Sequence, residues 1–393
     1  MSYQQTIKPN LSKNDADDWL KTSRKEFLSF LKTLVEINTF SKNPIGINQA
    51  QAIIKKELEA CGLSVTLKCL PGEGNHLIAQ TALAGSNDII LSGHIDTVHE
   101  LDSDFKSFSC DDVFAYGPGV LDMKCGVSMI VWLIKALHRE NLLKDLPLTV
   151  IISSDEELGA PYSRELIKEH STHAQAALVF EWGRDNDGLI VQRRGMKMYS
   201  LTSRGISAHA GNAHQSGVNA ITSIAHAVLE LEKLTQYEKN ITCNIGHIQG
   251  GSAVNVIPDL AVLQFEVRAP SVNDFVDIDN FITALVKELS KNGAILEVEL
   301  RSEIPPMEVS KKSLALAESI ASHSKAYELS FHAIDTPLGG ASNANDFASF
   351  GVATIDGLGP TGMHAHSAKE YIELASIEPR LRAVFSWLKA QAL

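Results

Sequence analysis

Residues 87–100 read NDIILSGHIDTVHE and hold the pattern that decides the fold. The apolar run Ile89 to Leu91 precedes a histidine and a carboxylate at alternate positions, His94 and Asp96. Such a run is typical of a buried strand, and alternate residues at its end point to the same side. The pair fits a metal ligand with its orienting carboxylate. It equally fits a hydrogen-bonded core histidine, so the stretch alone leaves both interpretations open.

The composition of the chain limits its class. The 393 residues are 44% hydrophobic and 21% charged, which is ordinary for a globular protein, and the length predicts two domains. The formal net charge of −12 argues against nonspecific nucleic-acid binding, which requires basic patches.

Cellular location is predicted from what the sequence lacks. The 5 cysteines include no C-x-x-C pair, which argues against a disulfide framework or a thiolate zinc site. No apolar run reaches the ~18 residues of a transmembrane helix, and the opening segment MSYQQTIKPNLSKNDADDW lacks the apolar core of a signal peptide. We therefore expect a cytoplasmic protein without a membrane partner.

Strand-like and helix-like segments alternate through the first half of the chain. NDIILSG, PLTVIISS and AALVFEW read as strands, and KCGVSMIVWLIKALHREN reads as a helix. This alternation predicts an α/β fold with a mostly parallel sheet flanked by helices. In such sheets the functional site forms at the carboxyl ends of the strands.

The pattern changes near residue 196. The segments MKMYSLTSR, VNAITSIAHAVLELEKL, ITCNIGHI, LAVLQFEVR, FVDIDNFITALVKELSK and AILEVELRS predict the order β-α-β-β-α-β, which is ferredoxin-like. The α/β pattern then resumes. We predict a catalytic domain built from residues 1–195 and 306–393, with residues 196–305 inserted as a second domain.

Histidines and acidic residues recur where the predicted strands end. They are His94 and Asp96, Asp122 in GPGVLDMKCG, Glu156 and Glu157 after TVIISS, Glu181 in ALVFEWG, and His366 in GMHAHSAKEY. Each alone is commonly a solvated loop residue, but their coincidence predicts one site at one edge of the sheet. A two-metal hydrolase needs a bridging carboxylate, mixed nitrogen and oxygen ligands, and a further carboxylate as base. Of the adjacent Glu156 and Glu157, one can bind a metal ion while the other serves as the base.

The order of the motifs resembles a known family. HIDTV, GPGVLDMKCG, SSDEELG, EWG, ISAHAG, GGSAVNVIPD, FEVR, GGASNAND and HSAKEY resemble the co-catalytic zinc metallopeptidases. That family includes glutamate carboxypeptidase, aminoacylase, acetylornithine deacetylase and succinyl-diaminopimelate desuccinylase, and the chain looks most like the first. The resemblance runs from about residue 20 to the end. It implies a zinc-exopeptidase-like catalytic domain and an inserted domain that forms a homodimer.

The resemblance also implies roles for the strand-end residues. It assigns ligands to two Zn²⁺ per subunit: His94 and Glu181 on one ion, Glu157 and His366 on the other, and Asp122 bridging both. Glu156 would be the general base, and Asp96 would orient His94 through its far ring nitrogen. The peptide bond after Asp122 is expected to be cis. Co²⁺ or Mn²⁺ could also occupy nitrogen and oxygen ligands of this kind.

Two other histidines, His364 and His99, lie near these motifs. His366 is preferred to His364 as the ligand, because HSAKEY places it just before a Glu-Tyr pair as the family does. We interpret His364 and His99 as polar loop residues.

The resemblance assigns other residues to the substrate. His209 would reach across the dimer and polarise the scissile carbonyl, and Asn255 would contact the substrate. Arg268 would grip a substrate carboxylate, since a planar guanidinium binds carboxylates in a bidentate manner. Gly339 and Gly340 would form a backbone loop near the substrate. A solvated loop histidine and a surface strand charge remain alternatives for His209 and Arg268, and SNAND departs from the Thr-Asp or Ser-Asp pair of many members.

These assignments predict a di-zinc hydrolase that cleaves an amide bond next to a free carboxylate, in small peptides or N-acyl amino acids. A glutamate-carboxypeptidase-like exopeptidase is the preferred interpretation. The main alternative is an N-acyl-amino-acid deacylase of the acetylornithine or succinyl-diaminopimelate type. An aminopeptidase fits less well because Arg268 suits a carboxylate. A noncatalytic metal-binding homologue would be expected to lack a ligand or the base, and this chain lacks neither.

Overall fold

The computed structural model describes residues 15–70, 72–334 and 336–392. The chain divides into two compact units. The first contains the described residues up to Ile190, Lys311–Ala333, and those from Val352 onward, and the second contains Val191–Ser310 with Ile334–Gly351. Residues 1–14, on which the expected absence of a signal peptide depends, lie outside the described residues.

Helices and strands alternate through the first unit and again through the second. The helices are α1 (Asp15–Thr22), α2 (Arg24–Val35), α3 (Pro44–Ala60), α4 (Cys125–Arg139), α5 (Ser163–Ser171), α6 (Ala220–Leu231), α7 (Val272–Leu289), α8 (Lys311–Ser324), α9 (Asn343–Ser349) and α10 (Ile377–Gln391). Among the described residues, no helix combines the length and the apolar composition that crossing a bilayer requires.

The strands range from two-residue pairings to ten-residue strands. They are β1 (Ser64–Lys68), β2 (His76–Gln80), β3 (Asp88–His94), β4 (Ser109–Cys110), β5 (Phe114–Tyr116), β6 (Leu148–Ser153), β7 (Ala174–Val179), β8 (Gly188–Ile190), β9 (Gly195–Arg204), β10 (Ala208–His209), β11 (Thr242–Gly250), β12 (Val256–Ile257), β13 (Leu260–Ala269), β14 (Ile295–Ile304), β15 (His332–Ile334), β16 (Ala353–Ile355), β17 (Gly362–Met363) and β18 (Tyr371–Glu373).

A six-stranded sheet in the order β1-β2-β6-β3-β7-β16 forms the centre of the first unit. Strand β3 pairs in parallel with β6 and β7, and β7 pairs in parallel with β16. Every residue of β3 and β6 is buried, so both faces of the sheet centre are covered. The predicted α/β fold is confirmed, although β2 runs antiparallel to both of its neighbours.

The sheet order decides where the site lies. Strands β6, β3 and β7 are adjacent and run in the same direction, with His94 opposite Ser153 and Ser92 opposite Val179. Their carboxyl ends therefore meet at one edge of the sheet. Residues that follow these strands in the sequence emerge side by side at that edge.

The second unit contains the predicted ferredoxin-like arrangement, which is confirmed. Its four-stranded antiparallel sheet has the order β11-β13-β9-β14, and α6 and α7 share one hydrophobic core with it. Along β13 the buried residues alternate with more exposed ones, because only one face of the strand packs on the helices.

The segment Ile334–Gly351 belongs to the second unit, whereas the sequence predicts it as part of the catalytic domain. Two hydrogen bonds connect this segment to the rest of the second unit. The Arg268 guanidinium donates to the Gly339 carbonyl, and the Asn345 side chain donates to the Pro305 carbonyl. The helix α9 of this segment is closed by a capping box between Ser342 and Asn345.

Candidate metal centre

Three segments at the edge of the large sheet carry predicted site residues. His94 is the last residue of β3, and Glu181 follows β7 by two positions. Glu156 and Glu157 lie in a short helical turn just after β6. Because the three strands are adjacent and parallel, these side chains converge.

Asp122 and His366 come from loops on other parts of the first unit. Asp122 lies in the turn Val120–Lys124 that leads into α4, with non-helical φ −118° and ψ 93°. The predicted cis bond between Asp122 and Met123 is confirmed. His366 lies between β17 and β18 in the left-handed region, with φ 61°.

The Asp122 carboxylate lies between two imidazoles. Its Oδ1 is 3.0 Å from His94 Nε2, and its Oδ2 is 3.0 Å from His366 Nε2. Glu181 Oε1 lies 3.4 Å from His94 Nε2, and Glu157 Oε2 lies 3.3 Å from His366 Nε2. The side chains form two groups, His94 with Asp122 and Glu181, and Asp122 with Glu157 and His366. In each group the potential ligand atoms lie within 4.8 Å of one another.

The imidazoles and the shared carboxylate stabilise each other's charges. Burial by itself lowers the pKa of His94. Hydrogen bonds to carboxylates, chiefly to Asp122, outweigh this effect and raise the pKa well above its usual value. Hydrogen bonds that His366 donates to the Asp122 and Glu157 carboxylates raise its pKa to about 10. Burial opposes ionisation of Asp122, but His366 and His94 hold its pKa below the usual range.

The remaining carboxylates are poorly solvated. Burial raises the pKa of Glu156 well above its usual value and that of Glu157 to a lesser extent. Burial, followed by the charge of Asp122, raises the pKa of Glu181 to about 7. Gathering these acids in a buried space is costly unless protons or cations offset their charge.

The donor set fits a pair of divalent ions. Glu157 Oε1 and Glu181 Oε2, one from each group, are buried without a hydrogen-bond partner. One cation in each group would satisfy these oxygens. Imidazole nitrogens mixed with carboxylate oxygens suit zinc, and cobalt or manganese to a lesser degree.

Asp96 contacts the His94 ring most closely through its main chain, while the contact of its carboxylate is longer. Its main-chain carbonyl lies 3.0 Å from His94 Nδ1, while its carboxylate Oδ1 lies 3.4 Å away. The carboxylate instead accepts the N–H groups of Glu156 and Glu157, at 3.2 and 3.1 Å, and the Ser41 hydroxyl at 2.9 Å. Asp96 therefore orients His94 through its backbone and fastens the Glu156–Glu157 turn through its side chain.

His99 lies in a loop, as interpreted, but its side chain does not face solvent. Its side chain is buried, and its Nε2 lies 2.9 Å from Oε2 of Glu370, which is also fully buried. The HSAKEY motif gives no sign of this contact, because His99 and Glu370 lie 271 positions apart in the sequence. His364 is exposed, as a polar loop residue would be.

His209 and Asn255 lie close together in the second unit. Strands β10 and β12 pair, and the Asn255 carbonyl accepts the Ala210 N–H at 3.0 Å. The exposed His209 ring accepts the N–H groups of Gly211 and Asn212 at Nδ1, both at 3.1 Å. Its neutral form therefore carries the proton on Nε2.

Arg268 and the predicted glycine loop also come together in the second unit. Arg268 Nε and Nη2 donate to the Glu266 carboxylate at 2.9 and 3.3 Å, and Nη1 donates to the Gly339 carbonyl at 2.6 Å. Gly340 accepts from Arg193 Nη1 at 2.8 Å. A guanidinium has five N–H groups, so one on each terminal nitrogen of Arg268 remains for a ligand. Sequence reasoning missed Glu266, although it shares a strand face with Arg268.

Known proteins match the chain along most of its length. A family model for a peptidase dimerisation domain matches residues 191–294, and one for peptidase family M28 matches residues 77–239. Carboxypeptidase G2 of Pseudomonas sp. (strain RS-16) is 27% identical over 89% of this chain and 86% of its own. Acetylornithine deacetylase of Buchnera aphidicola subsp. Acyrthosiphon pisum (strain 5A) is 24% identical over 72% and 78%. The solved structure of aminopeptidase PepT from Bacillus cereus ATCC 10987 shares the fold, with a TM-score of 0.77, 22% identity and coverage of 94% and 99%.

The fold, the relatives and the dimerisation-domain match together define a metal-dependent hydrolase. The chain is similar to the M20 peptidase family in its dimerisation domain and its relatives, and the family resemblance predicted from the order of the motifs is confirmed. The divalent metal that this similarity implies agrees with the donor set around Asp122.

Metal binding should release protons. At neutral pH the metal-free site holds His94 and His366 protonated, because the pKa of each is raised, that of His366 to about 10. A metal ion binds only neutral imidazole, so affinity for Zn²⁺ should rise with pH toward that pKa, by about tenfold per pH unit for each proton released. Calorimetry in buffers of different ionisation enthalpy would count the protons.

A matched pair of variants tests which histidine releases a proton. His366→Gln should lower the proton release, while His364→Gln, at an exposed position two residues away, should leave it unchanged. Equal proton release by His366→Gln and the unmodified protein would contradict the assignment.

Proposed function

We propose that this metallohydrolase cleaves an amide bond next to a free carboxylate, as a glutamate-carboxypeptidase-like exopeptidase with two Zn²⁺ per subunit. The observation that carries the proposal is the Asp122 carboxylate, which is shared by two groups of nitrogen and oxygen ligands. Similarity to carboxypeptidase G2 over most of both chains supports the substrate class.

The ligand assignment follows the two groups. His94 and Glu181 would hold one ion, Glu157 and His366 the other, and Asp122 would bridge them. Bound divalent ions would supply an activated water and polarise the scissile carbonyl. The other roles fall to side chains that belong to neither group.

Glu156 is the proposed general base. Its Oε2 lies 3.9 Å from His94 Nε2, farther than the Asp122 and Glu181 oxygens at 3.0 and 3.4 Å, and it belongs to neither ligand group. Asp96 fixes its backbone through the Glu156 N–H. Glu156 would take a proton from the attacking water and return it to the leaving amine.

His209 is the proposed donor to the oxyanion. Its neutral ring carries a proton on Nε2, because Nδ1 accepts two backbone N–H groups. A fixed donor of this kind stabilises charge that develops on a carbonyl oxygen. Following the family resemblance, we assign this role to His209 of the partner subunit.

Arg268 is the proposed contact for the substrate carboxylate, beside Asn255 and the backbone of Gly339 and Gly340. Glu266 holds the plane of the guanidinium through Nε and Nη2, while one N–H on each terminal nitrogen remains for a ligand. This arrangement supports carboxylate recognition by a preoriented arginine.

Replacing the base should stop turnover without releasing the metals. We expect Glu156→Gln to lower kcat by about 10²- to 10⁴-fold, because the amide cannot accept a proton. Metal content, measured by atomic emission, should equal that of the unmodified protein. The control Glu165→Gln changes an exposed carboxylate, whose side chain is 79% exposed, in the helix that follows the same turn, and should leave kcat unchanged. Retained turnover in Glu156→Gln would refute the assignment.

The substrate class is tested by amine release from a panel of C-terminal glutamate peptides, N-acyl glutamates, N-acetylornithine and N-succinyl-diaminopimelate. Preferred cleavage of the glutamate compounds supports the proposal. Preference for N-acetylornithine or the succinyl compound would support a biosynthetic deacylase instead, the alternative that similarity to acetylornithine deacetylases favours. Hydrolysis of none of them by zinc-loaded protein would contradict both.

Arg268→Ala should weaken the use of carboxylate substrates. A hydrogen bond to a charged group contributes about 1.5–3 kcal/mol, so we expect KM for the preferred substrate to rise by about 10- to 100-fold. Arg301→Ala removes an arginine from the same unit that is 55% exposed and pairs with Glu299, so its KM should not change. Equal KM values for the two variants would refute the role of Arg268.

We also propose that the protein forms a homodimer through its second unit. Beyond the match to a dimerisation domain, exposed apolar side chains occur on α6 and on the neighbouring strand β11 of this unit. Ile221 and Leu229 of α6 are 39% and 66% exposed, and Ile248 of the edge strand β11 is 54% exposed. Exposed apolar residues on neighbouring elements mark a surface for association.

Leu229→Glu should dissociate the dimer. A carboxylate placed in an apolar interface is costly, so the dimer dissociation constant should rise by about a hundredfold or more. Sedimentation velocity over a concentration series measures this change. Val276→Glu, at a position on α7 that is 51% exposed, is the control and should sediment as the unmodified protein does. An unchanged dissociation constant in Leu229→Glu would exclude this surface.

A further inference from the structure

Glu370 is a fully buried carboxylate that the two ligand groups leave out. Its Oε1 accepts the N–H groups of Leu121 and Asp122, at 2.7 and 3.0 Å. Its Oε2 accepts the N–H of Gly119 at 3.0 Å and lies 2.9 Å from His99 Nε2. With both oxygens engaged by N–H donors, Glu370 is placed to hold the backbone rather than to bind an ion.

The backbone of the Asp122 turn needs these acceptors. Within the turn, Val120 N–H donates to the Gly117 carbonyl, and Lys124 N–H donates to the Gly119 carbonyl. The N–H groups of Gly119, Leu121 and Asp122 instead donate to Glu370. A buried N–H without an acceptor costs about as much as a lost hydrogen bond. The turn therefore depends on Glu370 for its conformation.

Glu370 also connects the segments that carry three of the proposed ligands. It lies four positions after His366, in a turn closed by its own N–H on the Ser367 carbonyl. His99 follows β3, the strand that ends at His94. The third segment is the Asp122 turn itself. One carboxylate thus links the loops of His94, Asp122 and His366.

We propose that Glu370 and His99 form a positioning pair that fixes the Asp122 turn, so that the Asp122 carboxylate faces His94 and His366 together. The inference rests on the proposed ligand role of Asp122. His99 holds one side of the Glu370 carboxylate, and Phe105 packs against the edge of the His99 ring at 5.4 Å between centroids. Neither residue belongs to a ligand group, so both act through the position of Asp122.

Glu370→Gln tests the pair with little change in shape. The amide nitrogen is a donor, so whichever way it turns, at least one backbone N–H of the turn faces another donor. We expect affinity for Zn²⁺ to fall by about 10- to 100-fold, as for other residues that orient metal ligands. Competition with a chromophoric chelator measures affinity, and thermal unfolding in EDTA measures the stability of the metal-free protein.

A second pair of variants covers the case in which Glu370→Gln does not fold. His99→Leu removes the donor to Glu370 and should also weaken Zn²⁺ binding, by less than Glu370→Gln does. His99→Gln keeps an N–H near the position of Nε2 and should restore the affinity. A loss of metal-free stability with unchanged Zn²⁺ affinity in Glu370→Gln or His99→Leu would overturn the proposal, because the role would then be structural only. Equal affinities for His99→Gln and His99→Leu would also overturn it.

Asp122→Asn separates this inference from the proposed ligand set. If Asp122→Asn binds Zn²⁺ as tightly as the unmodified protein, the ligand set itself is wrong. If Asp122→Asn loses affinity while Glu370→Gln and His99→Leu keep it, only the positioning role is refuted. Loss of affinity in all three, with rescue by His99→Gln, is the result we expect.

Discussion

The pairing of one buried carboxylate with two imidazoles is the constraint on which the site depends. Asp122 places one oxygen 3.0 Å from His94 and the other 3.0 Å from His366. Glu181 lies beside His94 and Glu157 lies beside His366. Each of the two glutamates has one buried oxygen without a hydrogen-bond partner. Charges gathered in this way repel each other unless protons or cations lie among them. The arrangement forms because the adjacent parallel strands β6, β3 and β7 bring the loops that follow them to one edge of the large sheet.

The supports of the site are carboxylates whose partners are backbone N–H groups. Asp96 accepts from Glu156 and Glu157, and Glu370 accepts from the turn that carries Asp122. Each joins segments that are distant in the sequence. A carboxylate that accepts several N–H groups holds a loop firmly without itself reaching a ligand position. These carboxylates therefore hold the loops of the site to one another, and the proposed ligands and base project from the loops.

Much of this arrangement could be predicted because it is local in the sequence. His94 and Glu181 stand at strand ends, and the parallel order of those strands brings them together whatever the loops contain. Other features have no local signal. The contact between His99 and Glu370 joins residues 271 positions apart, and the apolar segment of β2 reads the same whether the strand runs parallel or antiparallel. The pairing of Glu266 with Arg268 could be predicted, because Glu266 lies two positions earlier on the same strand face. The contact between Arg268 and Gly339 could not be predicted, because it depends on the fold.

We propose that Asp122 bridges two metal ions. This bridging role is tested most directly by an anomalous difference map, measured at the zinc absorption edge on crystals of the zinc-loaded protein. We expect two peaks about 3.5–4 Å apart, one beside each oxygen of Asp122. A single peak that touches only one of these oxygens, or peaks remote from Asp122, would contradict it.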